Sequence, residues 1–367
     1  MNAEFYQNLT TAALAGEPVD RNVAEQVLSD PDIDILDLLH GAYVVRKSFR
    51  GNIVTIHIIN NGQNGYCPED CQYCAQAKSS DSAIHEYPLK SDEEFLKEAK
   101  AAYEKGAHRY CMVFAGRGPS RSRVERLGAL IRKIKENYPL EVCVSAGLLD
   151  ADKAAVLREA GLDRLNHNLN TSERHYGSIC STHTYADRRQ TLAAARQAGL
   201  QLCSGVIVGM KEDPQDLIDV AIELSQLKVE SIPVNFLMPI PGNRLTDPQG
   251  LTPQYALRVL CLYRFINPQA EIRMAAGREM HLRSLQVMGL YAADSLFLDG
   301  YLNTKGDDRR RTLEMIRDAG FTIKSEIPLE QILAGPQNIT RPDEPESRTK
   351  TVLKDAADLR PCIEKRQ

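Results

Sequence analysis

Two hydrophobic periods take turns along the chain. Ile53-Val54-Thr55-Ile56-His57-Ile58-Ile59 is a β-branched run of the kind found in strands buried on both faces. Ser91-Asp92-Glu93-Glu94 then opens a stretch of helical spacing that ends near Gly106, with serine as cap and acids in the first turn. The same strand-then-helix unit recurs. Further strands are predicted at Tyr110–Phe114, Leu140–Ala146, Arg164–Leu169, Leu200–Val208, Ile232–Met238, Glu271–Ala275 and Ser295–Leu298. The helices between and after them are predicted at Ser122–Asn137, Asp152–Ala160, Ala186–Ala198, Pro214–Leu227, Pro253–Phe265, Arg278–Met288 and Asp308–Ala319. Eight such units predict an α/β fold, a parallel sheet closed into a (β/α)8 TIM-type barrel. Gly106, Gly161, Gly199, Gly289 and Gly320 read as helix stops. Helices at Asn22–Leu28 and Ile33–Arg50 precede the first strand. After Ile332 large apolar residues become scarce. Residues 1–335 therefore read as one barrel domain with N-terminal helices, and 336–367 as a flexible polar tail with one short helix over Thr351–Leu359.

One connection in this scheme is too long. From Asn60 to Lys90 no element is predicted, and long loops in compact domains are usually functional. It carries Cys67-Pro68-Glu69-Asp70-Cys71-Gln72-Tyr73-Cys74, three thiols spaced C-x3-C-x2-C. Three ligands are an odd set for a structural zinc, which takes four. On a four-iron cluster, three thiolates leave one iron open to a small molecule. A half-formed zinc site and a redox dithiol are the other readings. Composition narrows the field. The 367 residues are 43% hydrophobic and 26% charged, enough for a sizeable core. The net charge of -4 implies no large basic surface, so nucleic acid is not expected as a partner. No apolar run approaches the ~20 residues needed to span a bilayer, and no signal peptide is evident, so a cytoplasmic protein is expected. Nine cysteines in such a chain point to metal or redox chemistry rather than disulfides.

The cysteine spacing resembles that of the radical S-adenosylmethionine superfamily. There the open iron is chelated by the methionine part of S-adenosyl-L-methionine, and the cluster is [4Fe–4S]. Tyr73 matches the aromatic position near the adenine. Three more cysteines, Cys111, Cys143 and Cys203, lie inside the second, third and fifth predicted strands. Each alone reads as a small buried hydrophobe. If they share inward parity, the thiols converge below the first cluster.

The segments Tyr110-Cys111-Met112, Glu141-Val142-Cys143, Cys203-Ser204-Gly205-Val206-Ile207-Val208-Gly209, Asn166-His167-Asn168-Leu169-Asn170-Thr171-Ser172 and Arg273-Met274-Ala275-Ala276-Gly277-Arg278-Glu279 are similar to the biotin synthase family over residues 35–333. The resemblance implies that Cys111, Cys143, Cys203 and Arg273 hold an auxiliary [2Fe–2S] cluster. It implies sulfur insertion into dethiobiotin, driven by a 5′-deoxyadenosyl radical. An arginine ligand is unusual because guanidinium stays protonated; Arg273 reads equally as a cation balancing the cluster sulfides. Asn166 and Asn168 share a face of the fourth strand, and their amides, like that of Asn235, suit a cyclic urea. The resemblance places Asn168 and Asn235 at the ureido ring, with Asn168 also within reach of the cofactor ribose. It places Asn170 at the ribose too, where many relatives have Asp. Satisfying loop backbone groups is the plainer role for these asparagines. Arg188 matches a residue that pairs the cofactor carboxylate, or is an exposed helix arginine. Ala115 and Gly116 fit a turn facing the cofactor amino group, and Thr304 with Asn303 the substrate carboxylate. Cys180 and Cys261 read as structural, and Cys362 as a free surface thiol. An external electron donor such as flavodoxin or ferredoxin, and a homodimer, are implied as partners. The alternatives are another auxiliary-cluster radical enzyme resembling a hydrogenase-cofactor maturase, or a non-catalytic iron–sulfur or zinc protein.

Overall fold

The computed structural model describes residues 1–334. The tail 336–367, with the helix expected over Thr351–Leu359 and Cys362, lies outside the described residues. Ten parallel strands are β1 (Ile53–Gln63), β2 (Arg109–Phe114), β3 (Glu141–Ser145), β4 (Arg164–Asn166), β5 (Gln201–Cys203), β6 (Val206–Val208), β7 (Ser231–Phe236), β8 (Glu271–Met274), β9 (Ser295–Leu298) and β10 (Thr322–Ile323). β9 pairs back onto β1, with Thr55 opposite Ser295, so the sheet closes. Helices cover its outside, and apolar strand residues such as Ile56, Val142 and Ile272 are fully buried beneath them.

The alternation of strands and helices predicted from the sequence is therefore the observed one, with local departures. The fifth strand is split into β5 and β6. At the break the Ser204 hydroxyl accepts the Leu169 N–H (3.1 Å), and the Gly205 carbonyl accepts the Asn170 N–H (2.9 Å). The same substitution of side chain for ladder ends β4 at Asn166 instead of Leu169. A Cβ at Gly205 would stand 2.0 Å from the Pro233 carbonyl oxygen. Gly205→Ala should therefore cost about 1–3 kcal/mol or more through overpacking, read as a lower denaturant midpoint at unchanged m-value; an unchanged midpoint would show that the break can relax.

β1 runs on to Gln63, so the long loop begins four residues later than expected. An additional helix at Ala3–Ala15 is capped by Asn2 and Gly16; its buried stripe, Tyr6, Leu9 and Ala13, is too weakly apolar to stand out in the sequence. The helix expected over Arg278–Met288 breaks after Leu282, where Arg283 takes a positive φ of 54°. A short helix, Gln286–Gly289, does end at Gly289, and a Cβ there would also meet the Met274 sulfur at 2.3 Å. The capping box at Ser91 and Glu94 is present as read.

Candidate active site

Register decides which strand residues meet inside the barrel. Crossing two strands and advancing two residues connects Cys143 to Cys203, Cys203 to Arg273, Arg273 to His57, and His57 back to Cys143. These four residues form one interior layer contributed by alternate strands. Cys111 lies directly opposite Cys143 on the neighbouring strand, and so about one residue nearer the C-terminal mouth of the tilted barrel. Its layer also contains Asn166 and Phe297. The three thiols thus point inward and form one buried cluster with Ala275 and Phe297. Cys143 hydrogen-bonds to both other thiols. Its bond to Cys111, and burial, push its pKa up to about 12.

Beneath the thiols lies a charged layer. Glu271 accepts from Arg273 Nη2 (2.6 Å), Ser231 Oγ (2.9 Å) and Arg109 Nη1 (3.1 Å), with Arg164 Nη1 at 3.4 Å; His57 Nε2 lies 2.8 Å from Glu271 Oε1 and 3.1 Å from Arg109 Nη1. Burial opposes its charged form, but Arg109, His57, Arg164 and Arg273 outweigh that and hold its pKa well below the usual carboxylate range. Burial and the adjacent Arg273 guanidinium lower the His57 pKa to about 3. Three buried guanidiniums face Glu271 and the half-buried Glu141, so the layer carries surplus positive charge. The Arg273 Nε finds no hydrogen-bond partner among the described residues. A buried cation with an unused donor beside three thiols fits an anionic iron–sulfur centre. Sequence reading missed His57, Arg109, Arg164 and Glu271. Their only signal was charge in otherwise apolar strands.

The loop after β1 carries the other three cysteines to the barrel mouth. Cys67 Sγ accepts backbone N–H groups of Glu69 and Gly116, and Cys74 Sγ those of Gln76 and Ala77. Burial raises the pKa of both thiols, Cys74 to about 11. Amide donors aimed at sulfur suit thiolate ligands of a cluster. The loop is stitched to the segment 178–184. Asp70 Oδ1 accepts the Ser181 N–H (2.9 Å) and the Thr182 N–H (3.2 Å), and Glu69 Oε2 lies 2.6 Å from His183 Nδ1. Cys180, read from the sequence as structural, belongs to this seam. Its sulfur lies 3.8 Å from Cys71 Sγ and 3.3 Å from His183 Nδ1, and the three side chains are close enough to hold a metal ion. Cys261 is buried in the helix Pro253–Ile266, as expected of a structural residue.

Between the two cysteine groups lies a cavity of about 250 Å3. It narrows into a second of about 30 Å3 lined by Cys111, Cys143, Cys203 and Arg273. Asn166, Asn168, Asn235 and Tyr301 line both. Asn166 Nδ2 donates to Asn168 Oδ1 (3.1 Å) and reaches Cys203 Sγ (3.2 Å). The Asn235 amide donates to Val206 O (3.0 Å) and accepts from Ala276 N (3.3 Å), which leaves one donor and one lone pair. Asn170, at φ 70°, donates to the hydroxyl of the partly buried Tyr73 (2.6 Å). Arg188 is buried rather than exposed: it donates to Asn168 O (2.7 Å) and Tyr176 Oη, and its Nη2 meets His183 Nε2 (2.8 Å). Ala115 and Gly116 line the upper cavity, with Gly116 at φ 128° and open space where a Cβ would point. Asn303 and Thr304 line it from the opposite wall, where the Asn303 Oδ1 accepts from Asn64 Nδ2 (2.7 Å) and Thr304 Oγ1 donates to Tyr301 O (2.7 Å).

This geometry has relatives. Residues 64–224 match the Radical SAM superfamily, and residues 233–322 the Biotin and Thiamin Synthesis associated domain. A biotin synthase of Magnetococcus marinus is 54% identical over 316 residues, 86% of this chain and 98% of its own. One from Acaryochloris marina is 54% identical over 87% of this chain and 92% of its own. Among solved structures, a methylornithine synthase superposes with a TM-score of 0.75 at 20% identity, covering 89% of this chain and 99% of its own. The FeFe-hydrogenase maturase of Carboxydothermus hydrogenoformans gives 0.74 at 17% identity, covering 90% and 81%. At such identities these two structures share the fold.

Proposed function

This chain belongs to the biotin synthase family, and on that premise we propose which of its residues carry out the conversion of dethiobiotin to biotin. It is a radical S-adenosylmethionine enzyme that inserts sulfur, using S-adenosyl-L-methionine, a [4Fe–4S] cluster and an auxiliary [2Fe–2S] cluster. When bound, the first cluster and the cofactor supply a 5′-deoxyadenosyl radical, and the auxiliary cluster supplies the sulfur.

Cys67, Cys71 and Cys74 hold the [4Fe–4S] cluster. Cys111, Cys143, Cys203 and Arg273 would hold the auxiliary one. The observation that carries this assignment is the stacking of the two thiol groups at the two ends of one cavity, with asparagine amides between them. The cofactor lies against Tyr73, Ala115, Gly116, Asn170 and Arg188. Dethiobiotin lies between the cofactor and the lower thiols. Asn168 and Asn235 bind its urea, Asn166 supports Asn168, and Asn303 with Thr304 meets its carboxylate. Phe236, Ile207 and Val113 line the same cavity and exclude water, which a primary radical requires. Electrons come from a small external donor such as flavodoxin or ferredoxin; Tyr66, 64% exposed beside Cys67, marks where the loop meets solvent. By family likeness the protein is a cytoplasmic homodimer. No helix among the described residues is long and apolar enough to cross a membrane.

Anaerobic reconstitution with iron and sulfide, followed by assay of deoxyadenosine and biotin, tests this reading. Deoxyadenosine without dethiobiotin-dependent biotin would sink it. Asn235→Ala removes the free donor and lone pair aimed at the urea. It should weaken dethiobiotin binding about 5- to 100-fold, the equivalent of about 1–3 kcal/mol for a polar group left unpaired. Unchanged affinity by equilibrium binding would move the urea site elsewhere.

A further inference from the structure

Resting on the reading of Arg188 as partner of the cofactor carboxylate, we propose that His183 is a positioning residue, which ties Arg188 to Glu69 of the cysteine loop and so holds the guanidinium in the orientation that binds S-adenosylmethionine. His183 is buried and lies two residues before the helix Tyr185–Gln197, which carries Arg188. Its Nε2 meets Arg188 Nη2 at 2.8 Å, and its Nδ1 meets Glu69 Oε2 at 2.6 Å. All three side chains line the upper cavity.

The two neighbours call for the same tautomer. A guanidinium can only donate, so Nε2 holds the lone pair. An ionised carboxylate can only accept, so Nδ1 holds the proton. The other atoms near Nδ1, Cys180 Sγ (3.3 Å) and Thr182 Oγ1 (3.5 Å), accept as well and raise no conflict. The Tyr176 ring, edge-on with centroids 6.0 Å apart, fixes the imidazole from the side. This tautomer also turns the lone pair of His183 to Arg188, so the imidazole is engaged by protein on both nitrogens and is not free to join Cys71 and Cys180 on a metal ion.

The donors of Arg188 show what His183 contributes. A guanidinium has five N–H groups. Nε donates to Tyr176 Oη, and Nη1 to Asn168 O (2.7 Å). Nη2 donates to His183 and reaches Tyr73 Oη only at 3.4 Å. Tyr176, Asn168 and His183 thus hold three sides of a planar fork. What remains for an incoming carboxylate is the second Nη1 hydrogen and the long contact to Tyr73. Without His183, a buried Nη2–H loses its acceptor and the fork is free to turn. Glu69 anchors the far end. Its N–H donates to Cys67 Sγ, and its Oε2 also accepts the Thr182 hydroxyl (2.6 Å). One hydrogen-bonded chain therefore runs from the loop of the first cluster to the arginine that meets the cofactor.

Equilibrium binding of S-adenosylmethionine to the reconstituted holoenzyme, without reductant, tests this in a double-mutant cycle. His183→Ala should weaken binding about tenfold or more, because it leaves a donor of a buried charged group unpaired. His183→Gln, whose amide oxygen can accept where Nε2 did, should recover most of the loss. Arg188→Met should weaken binding at least as much as His183→Ala, and the double variant no more than Arg188→Met alone. Decarboxylated S-adenosylmethionine, which lacks the group that Arg188 meets, should bind His183→Ala and wild type alike. Additive losses in the cycle, no recovery in His183→Gln, or equal losses for the two cofactors would overturn the proposal. Unchanged affinity in Arg188→Met would instead remove the reading of Arg188 on which it rests, and the proposal with it.

Discussion

Cys71→Ala should bring reductive cleavage of S-adenosylmethionine to below detection while the barrel stays folded. On the proposed assignment Cys67, Cys71 and Cys74 would provide three thiolates to a four-iron cluster, which leaves one iron for the cofactor. Removing a further ligand leaves two irons open, and the remaining thiolates cannot retain the centre. Even outer-shell partners of a metal site cost about 10–100-fold in affinity or activity when replaced; a ligand costs more. The fold should survive because all three residues sit on the loop 64–91, outside the barrel ladder. Cys67→Ala and Cys74→Ala should behave the same way. Cys261→Ala, in a helix remote from the cavity, should cleave at the wild-type rate. Chromatographic assay of deoxyadenosine alongside far-ultraviolet circular dichroism separates loss of chemistry from loss of structure. Wild-type deoxyadenosine from any of the three loop variants would refute the placement of the first cluster.

Cys203→Ala should split the reaction in a different place. On the proposed assignment, radical generation would depend on the mouth of the barrel, whereas the sulfur atom would be drawn from the layer that contains Cys203. Biotin formation should fall at least about tenfold, the lower bound for disturbing a metal site, while deoxyadenosine production falls far less. The variant also leaves Arg273 facing a cavity, since its Nη1 loses the thiol 3.8 Å away. Cys203→Ser restores a polar partner there without restoring a thiolate. It should therefore recover stability but not sulfur transfer. Equal losses of deoxyadenosine and biotin in both variants would mean that the lower thiols support the whole barrel rather than a separate centre.

Much of the architecture was legible in the residues because its signals are local. A strand buried on both faces must be apolar throughout, which is why Ile53–Ile59 and Ile232–Met238 stand out. Helix starts carry their own caps, as at Ser91, Asp213 and Thr252. The three loop thiols are legible for the same reason: they are close in the chain, so no folding knowledge is needed to bring them together. The failures are local conflicts won by tertiary contacts. The helix expected over Arg278–Met288 breaks at Arg283, and the fifth strand breaks where Ser204 and Gly205 pair with the preceding chain instead of a ladder.

The lower site was only half legible. Cys111, Cys143 and Cys203 are each indistinguishable from a core residue, and their convergence was a condition on parity rather than a deduction. Arg188 could be a surface arginine until its donors were seen to end on Asn168, Tyr176 and His183. Cys180 gave no sign of lying against Cys71. The pairing of His57 with Glu271 has no trace in the chain, because the two are 214 residues apart.

By itself, then, the amino-acid sequence determined the eight alternating units, the three-thiol loop at the C-terminal mouth and the family. Hydrophobic period, capping and short-range spacing are written in neighbouring residues. Only the tertiary structure decided which interior residues share a layer. That depends on the shear of the closed sheet, and shear is set when β9 pairs with β1 in one register and no other. A shift of that register by two residues would leave every strand and helix as apolar as before, and would part His57 from Arg273.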